Sequence, residues 1–392
     1  MLTVPALDGL RVLEVGQMIS GPFCGHLFAD HGAEVIKVEP NGGDVMRTWG
    51  LKHNGLGLYW PVISRGKKSV ILDLRSAAGQ EDLRRLAATA DVVIENFRPG
   101  TLEGWDLGPE DLHRVNPSLT IVRISGFGQD GPYRDRAGFG SVAEAMSGFR
   151  HLVAEPGRPP VRVGISLGDS LAGTQGFIGA LLALLAHARG GPATGQVIDV
   201  GLYEAMWMYM EGVLPEFDML GSIRQPTGAT LPNIAPSNVY PTAGGELVVI
   251  GANNDAVFAR LAALMGRAGW TDADGPYRTG PARGEAQESL DSAIASWSAT
   301  IGTDELLELL HEAGVPATRV FTAADISRDP HYSAREMIVP MSEPNLGGEV
   351  VRGPGVVPKL SVTPGVVRRG APLLGEHNDE VLGPLRKGAS LS

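Results

Sequence analysis

Cysteine is all but missing from this chain of 392 residues, in which Cys24 is the only one. Its solitude excludes an internal disulfide framework and a cysteine-based metal site, and it fits a reducing compartment. The nine histidines show neither H-x-x-x-H nor H-E-x-x-H spacing, so the sequence supports no zinc site. Basic residues are in the minority, 33 against 44 acidic, and the net charge of −11 argues against nucleic acid or an anionic membrane as partner. An anionic small ligand must then find local positive charge. The opening MLTVPALDGLRVLEVG lacks the basic and then apolar stretches of a secretory leader, and the expectation is a cytoplasmic protein. The most apolar run, 177–188, is too short to span a bilayer and follows Asp169 and Gln175, so it is expected to be a buried helix. No internal repeat, low-complexity tract or terminal charge run is present.

What the chain has is a regular alternation. Compact β-branched runs at 10–15, 33–38, 68–74, 91–97 and 119–125 are apolar on both faces, as strands of a parallel sheet between helices are. Helical patterns near 23–31, 77–89, 109–115 and 141–152 separate them, each long enough for a crossover. The reading is α/β: a doubly wound, mainly parallel, Rossmann-like sheet. Ligands of such sheets gather beyond the carboxyl ends of the strands, here the segments starting at Gly16, Arg75, Asn96 and Gly126. A further strand at 195–200 and a helix-like run at 201–217 complete a large domain, 1–220. Pro, Gly and Asn then mark an exit into a smaller α/β or α+β domain, 221–330, with a strand at 246–251, helices at 255–265 and 303–313 and the run 315–321. Residues 331–392 have too little helical periodicity to stand alone and are expected to return to the first domain.

Four stretches could carry chemistry. Gly126–Gly131 matches G-x-G-x-x-G after a strand, but Pro132 follows directly and no helix opens, so a glycine-rich turn is the better reading than a nicotinamide site. Lys67, Lys68, Arg75 and Arg98 flank strands three and four, and Asn96-Phe97-Arg98 joins an amide, an aromatic face and a cation, which suits a nucleotide with phosphates. The charged stretch 376–380 reads as a helix start or a surface turn. Lastly, Gly164-Ile165-Ser166-Leu167-Gly168 matches the G-x-S-x-G elbow of serine hydrolases, with His311, His331 and His377 available downstream. The apolar helix, however, is expected to begin at Ser170, with Gly173, Gly176 and Gly179 three apart, which puts Asp169 at its N-cap. Plain capping explains an aspartate there. The same place, at free amides and the positive end of the helix dipole, also keeps a carboxylate ionised and usable as a nucleophile.

Together these segments, from LDGLRVLEVGQMISGPFCGHLFADHGAEVIKVEPNGGD through GKKSVILDLRSAAG, ADVVIENFRPG, ISGFGQDGP and GDS to APLLGEHNDEVL (371–382), resemble the class III CoA-transferases, a family that also holds α-methylacyl-CoA racemase. The resemblance implies that Asp169 is the catalytic aspartate. It implies coenzyme A contacts at Gln17, Met18 and Ile19, at Leu72 and Arg75, and at Asn96, Phe97 and Arg98, with Phe139 beside them. Some members carry a further arginine where this chain has Pro40 or Gly104; Arg47 and the pair Lys67–Lys68 are the alternatives for that phosphate contact. The family's G-G-G-G-Q loop is absent, and Gly251-Ala252-Asn253-Asn254-Asp255 stands in its region. No tightly bound cofactor is implied; acyl-CoA and a small carboxylic acid are the substrates, succinyl-CoA among the candidate donors, and two subunits form an interlocked homodimer.

The family's two chemistries part at one position. Racemases carry a histidine, one of their two acid/base groups, where this chain has Phe139, and a phenyl ring moves no proton. CoA transfer needs only the carboxylate and is the expected activity. An acyl-CoA racemase and a serine hydrolase using Ser166 are the alternatives.

Overall fold

The computed structural model describes residues 4–387; the reading of the N-terminus rests partly on residues 1–3, which lie outside them. In chain order the larger unit runs β1 (Arg11–Glu14), α1 (Ser20–Asp30), β2 (Glu34–Glu39), β3 (Lys68–Ile71), α2 (Ala77–Ala87), β4 (Val92–Glu95), α3 (Pro109–Val115), β5 (Thr120–Ser125), α4 (Gly140–Met146), α5 (Leu167–Ala188), β6 (Val197–Gly201), α6 (Leu202–Trp207) and α7 (Val213–Leu220). The six strands form one sheet in the order β3-β2-β1-β4-β5-β6, and every neighbouring pair is parallel. This is the doubly wound arrangement, with its switch point between β1 and β4.

The β-branched runs explain the layering. Val12, Val35, Val92 and Val122 point into one buried cluster with Phe28 of α1 and Ala172 and Ala180 of α5. Their neighbours Leu13, Ile36, Val93 and Ile121 point into the opposite cluster with Leu83 and Leu86 of α2 and Leu112 of α3. The period of two along a strand thus feeds both faces at once.

Glycines set how closely α5 approaches. A β-carbon at Gly173 would stand 2.6 Å from the Ser20 carbonyl of α1; one at Gly176 would stand 2.9 Å from Val122 Cγ1, and one at Gly179 2.5 Å from Ile198 Cγ2. The 22-residue helix is apolar enough to cross a membrane by length and composition, yet it lies along α1 and the sheet. The expectation of a buried helix at 177–188 holds for one side only: Ile178, Leu182 and Leu185 are exposed.

The C-terminal segment packs on the larger unit. The Ser69 amide donates to His377 Nδ1, the Ile71 amide donates to Asn378 Oδ1 at 2.8 Å, and Arg386 pairs with Asp82 of α2. The stretch 376–380 is a turn leading into a helix start at Asn378, as read, with Glu376, Asp379 and Glu380 exposed; only His377 is buried, against β3 at the edge of the sheet. The segment also holds an antiparallel hairpin, Ile338–Glu343 with Glu349–Pro354, which helical periodicity cannot reveal.

The smaller unit comprises residues 151–161 and 223–329. Its three-stranded antiparallel sheet, Ser237–Pro241, Leu247–Gly251 and Ala317–Arg319, packs with the helices Asp255–Leu264, Gln287–Ser298 and Thr303–Glu312 on a core of its own around Phe258, Leu290 and Leu306. Residues 151–161, assigned to the first domain from sequence, belong here, because Gly228 donates to the Ala154 carbonyl. The run at 201–217 is likewise two helices, α6 and α7, parted near Met210–Gly212.

Replacing Gly173 by valine should lower the midpoint of urea unfolding by the equivalent of about 2–3 kcal/mol, because the neighbour that must yield is backbone of α1. An unchanged midpoint would show that this helix contact carries no such constraint.

Candidate active site

Beyond the carboxyl ends of β1 and β4, at the switch point, the chain turns sharply. Asn96 holds the turn together: its Oδ1 accepts from the Gln17 amide at 2.9 Å, and its Nδ2 donates to the Gln17 carbonyl at 2.8 Å and to Ser20 Oγ at 3.1 Å. Gly16 permits this closeness, since a β-carbon there would overlap Asn96 Oδ1. Met18 sits in the left-handed region at φ 66°, an unfavourable conformation for its side chain, and its amide donates to Asp44 Oδ1 at 3.2 Å.

Beneath the turn lies a buried charge network. Lys37 Nζ is 2.8 Å from Glu14 Oε1 and 2.7 Å from Asp44 Oδ2, and it donates to the Gly16 carbonyl at 3.2 Å. Lys67 Nζ reaches Glu14 Oε2 at 2.5 Å and the Pro22 carbonyl at 2.7 Å. Nearly every polar group of residues 14–18 is thereby committed before any ligand arrives.

These commitments correct the expected phosphate contacts. Lys67 is fully buried, Lys68 pairs with Glu34 and Glu380, and Arg47 pairs with Glu39 while its guanidinium lies over Trp60. None of the three is free for a ligand. Arg75 and Arg98 are exposed, and among the described residues neither guanidinium pairs with a carboxylate. Asn96 spends its amide on the turn and acts as a clamp.

Two adjoining cavities use these residues. One, of about 360 Å³, is lined by Gln17, Met18, Ile19, Asn96, Phe97, Arg98 and Phe139, and Asp169 opens into it. The other, of about 650 Å³, is lined by Gln17, Phe97, Leu72 and Arg75. Gln17 and Phe97 therefore border both, and Phe97 is set edge-on against Trp105, ring centres 5.4 Å apart. Asp169 and the nine residues at which the resemblance implies coenzyme A contacts all line one or other of these cavities. Pro40 lines the second cavity, but Gly104 lines neither.

The position of Asp169 differs from the expectation. The helix ladder already closes at Ser166, whose carbonyl accepts from the Ser170 amide at 3.1 Å and from Ser170 Oγ at 3.0 Å. α5 therefore begins at Leu167 with Ser166 as its cap, and Asp169 is the third residue of the first turn. Ser166 does precede the helix, as an elbow serine would. No strand leads into it, however, and no histidine lines the cavity.

The carboxylate lies against Gly140, at the start of α4, where a β-carbon would overlap Asp169 Oδ2. The glycine-rich turn after β5 supports that segment: Gly126 and Gly138 approach so closely that a β-carbon on Gly126 would be 2.9 Å from the Gly138 α-carbon. Glu144, buried on α4, faces the first turn of α5; its Oε2 takes a 2.7 Å bond from Arg150, and Arg162 stands 3.9 Å off. Burial first, and the Glu144 charge second, push the Asp169 carboxyl up to about 6, while Arg162 draws it down. The helix end alone was expected to keep the group ionised; lost hydration outweighs it, although the carboxylate form still prevails at pH 7.

Glu144 and Arg162 went unnoticed in the sequence. The available signal was a lone acid inside the helical pattern at 141–152 and an arginine seven residues before Asp169.

Because the carboxyl's folded value of about 6 exceeds the ordinary 3.8, ionised Asp169 costs stability above pH 6, and the cost vanishes below about pH 4. Asp169→Asn should gain about 1–3 kcal/mol at pH 7.5, and the gain should shrink as pH falls from 6 to 4, measured by urea unfolding. Equal stability at pH 7.5 would refute the desolvation of this carboxylate.

Known proteins share this construction. The model of "CoA-transferase family III" matches residues 7–378. The succinyl-CoA–D-citramalate CoA-transferase of Chloroflexus aurantiacus is 52% identical over 377 residues, covering 96% of this chain and 92% of that one. The succinate–glutarate CoA-transferase of Agrobacterium fabrum is 35% identical, covering 97% and 96%. A solved CaiB/BaiF family protein from Brucella suis superposes with a TM-score of 0.85 at 33% identity, over 97% of this chain and 100% of that one. With likeness along nearly its whole length, the chain belongs to CoA-transferase family III and is a CoA-transferase.

Proposed function

We propose that Asp169 is a reversible covalent carrier of acyl groups, through which CoA passes from succinyl-CoA to a small carboxylic acid. One observation carries this reading: a desolvated carboxylate opens into the cavity that Gln17–Ile19 and Asn96–Arg98 line. The succinyl donor is supported by relatives named for succinyl-CoA with citramalate, malate and mesaconate. The second cavity, with exposed Arg75, suits the nucleotide end of coenzyme A, and Gln17 and Phe97 border the path of the pantetheine arm toward Asp169. No tightly bound cofactor is needed.

Asp169 attacks the thioester carbonyl; the C–S bond breaks, and CoA leaves as thiolate from an acyl-aspartyl anhydride. The thiolate then attacks the aspartyl carbonyl, giving aspartyl-CoA and the free donor acid. The acceptor carboxylate attacks that thioester, CoA leaves again, and the returning thiolate takes the acceptor acyl group as Asp169 departs as carboxylate. Each step exchanges one activated carbonyl for another, so ATP is not required. Amides of the first turn of α5 would hold the developing oxyanion, and losing one such donor typically costs about 10²–10³ in rate. Racemisation lacks a second proton carrier, because Phe139 is exposed at the cavity and no histidine lines it.

Incubation with succinyl-CoA and hydroxylamine should leave a hydroxamate on Asp169, detected by peptide mass spectrometry, and Asp169→Ala should exchange no CoA between acids. Full activity in that variant without hydroxamate would end the proposal. We also propose a cytoplasmic homodimer of the interlocked kind. Its support is the exposed apolar side of α5 and of α7, where Phe217, Met219 and Leu220 lie bare. Sedimentation should give twice the 41.3 kDa chain mass, and a monomer at micromolar concentration would refute the dimer.

A further inference from the structure

The cavity at Asp169 holds more positive charge than one carboxylate nucleophile and one thioester arm use. Arg134 lies 3.5 Å from Asp135, and the Arg136 guanidinium lies 3.5 Å from the ring centre of Tyr133. Arg98 stands with Phe97 on the coenzyme A side, and Arg162 has only a longer pairing, with Glu144. Its side chain is 49% exposed, and it stands 3.9 Å from a Glu144 oxygen that already accepts a 2.7 Å bond from Arg150. Arg150 neutralises the buried Glu144, and no hydrogen bond ties Arg162 to either oxygen of that carboxylate. Arg162 and Asp169 line the same cavity, and the Arg162 charge draws the Asp169 carboxyl down.

We propose that Arg162 binds the distal carboxylate of a dicarboxylic acyl group and of a dicarboxylic acceptor, and so makes this site selective for dicarboxylic acids; the inference rests on Asp169 carrying the acyl group. With Asp169 free, two guanidinium groups, Arg150 and Arg162, balance two carboxylates, Glu144 and Asp169. Acylation of Asp169 removes one negative charge and leaves a net +1 at Arg162. The charge is uncovered at the stage when a second carboxylate must be held in the cavity or brought into it. A guanidinium meets a carboxylate with two parallel hydrogen bonds, which an ammonium cannot reproduce.

The test measures exchange of ¹³C-succinate into succinyl-CoA and, in parallel, of ¹³C-butyrate into butyryl-CoA, by mass spectrometry. In Arg162→Leu the ratio of succinate to butyrate kcat/KM should fall about 10²-fold, mostly through a higher KM for succinate, and Arg162→Lys should recover part of it. CoA affinity, measured separately by calorimetry, should stay within about threefold. An unchanged ratio in both variants, or wild-type protein that treats succinate and butyrate alike, would overturn the assignment while leaving CoA transfer standing. Failure of the underlying reading looks different: wild-type protein exchanging succinate with no hydroxamate at Asp169.

Discussion

The contact between the Asp169 carboxylate and the α-carbon of Gly140 excludes both a side chain and most water from one face of the group. Everything around it serves that closeness. Gly173 brings α5 onto the backbone of α1, and the paired glycines 126 and 138 bring the segment after β5, which carries Gly140, onto the strand end. A charged group held this way is poorly solvated, which keeps it reactive and raises its proton affinity together.

A second constraint organises the ligand side. Glu14, Lys37, Asp44 and Lys67 form a fully buried network whose members also bond the backbone of residues 16–22. Buried ion pairs are weak sources of stability, because desolvation offsets much of their attraction. Here the network holds a turn in which Met18 takes an unfavourable φ, and Asn96 clamps the same turn from the neighbouring strand. The turn is therefore in place before a ligand binds, and no binding energy is spent on ordering it.

Those two constraints divide the cations. Lys37, Lys67 and Arg47 are absorbed by the scaffold, whereas Arg75, Arg98 and Arg162 remain at the cavities of a chain whose net charge is −11. An acidic protein can so offer a locally positive site to an anionic thioester without attracting polyanions at large.

The six strands and their crossover helices were legible in the sequence, because β-branched runs apolar on both faces declare a doubly buried sheet, and such a sheet places its ligands at strand ends, here from Gly16, Arg75 and Asn96; Gln17 and Leu72 came from the family resemblance. Asp169 was legible as a candidate for the same reason, as an acid at the start of an apolar, glycine-spaced helix. Its rank within the first turn was not, since that depends on which carbonyl closes the ladder, and Ser166 closes it. The sequence did set Arg75 apart from Lys67, since Arg75 follows the carboxyl end of its strand and Lys67 precedes the strand, but only three-dimensional neighbours show that Lys67 meets the buried Glu14 while Arg75 meets solvent. Glu144 and Arg162 act on Asp169 across 25 and 7 residues of chain, and the His377 contact with Ser69 spans 308. Local pattern determined the elements and their order; long-range packing decided the charge environment, because desolvation and Coulomb forces act through space and not along the chain.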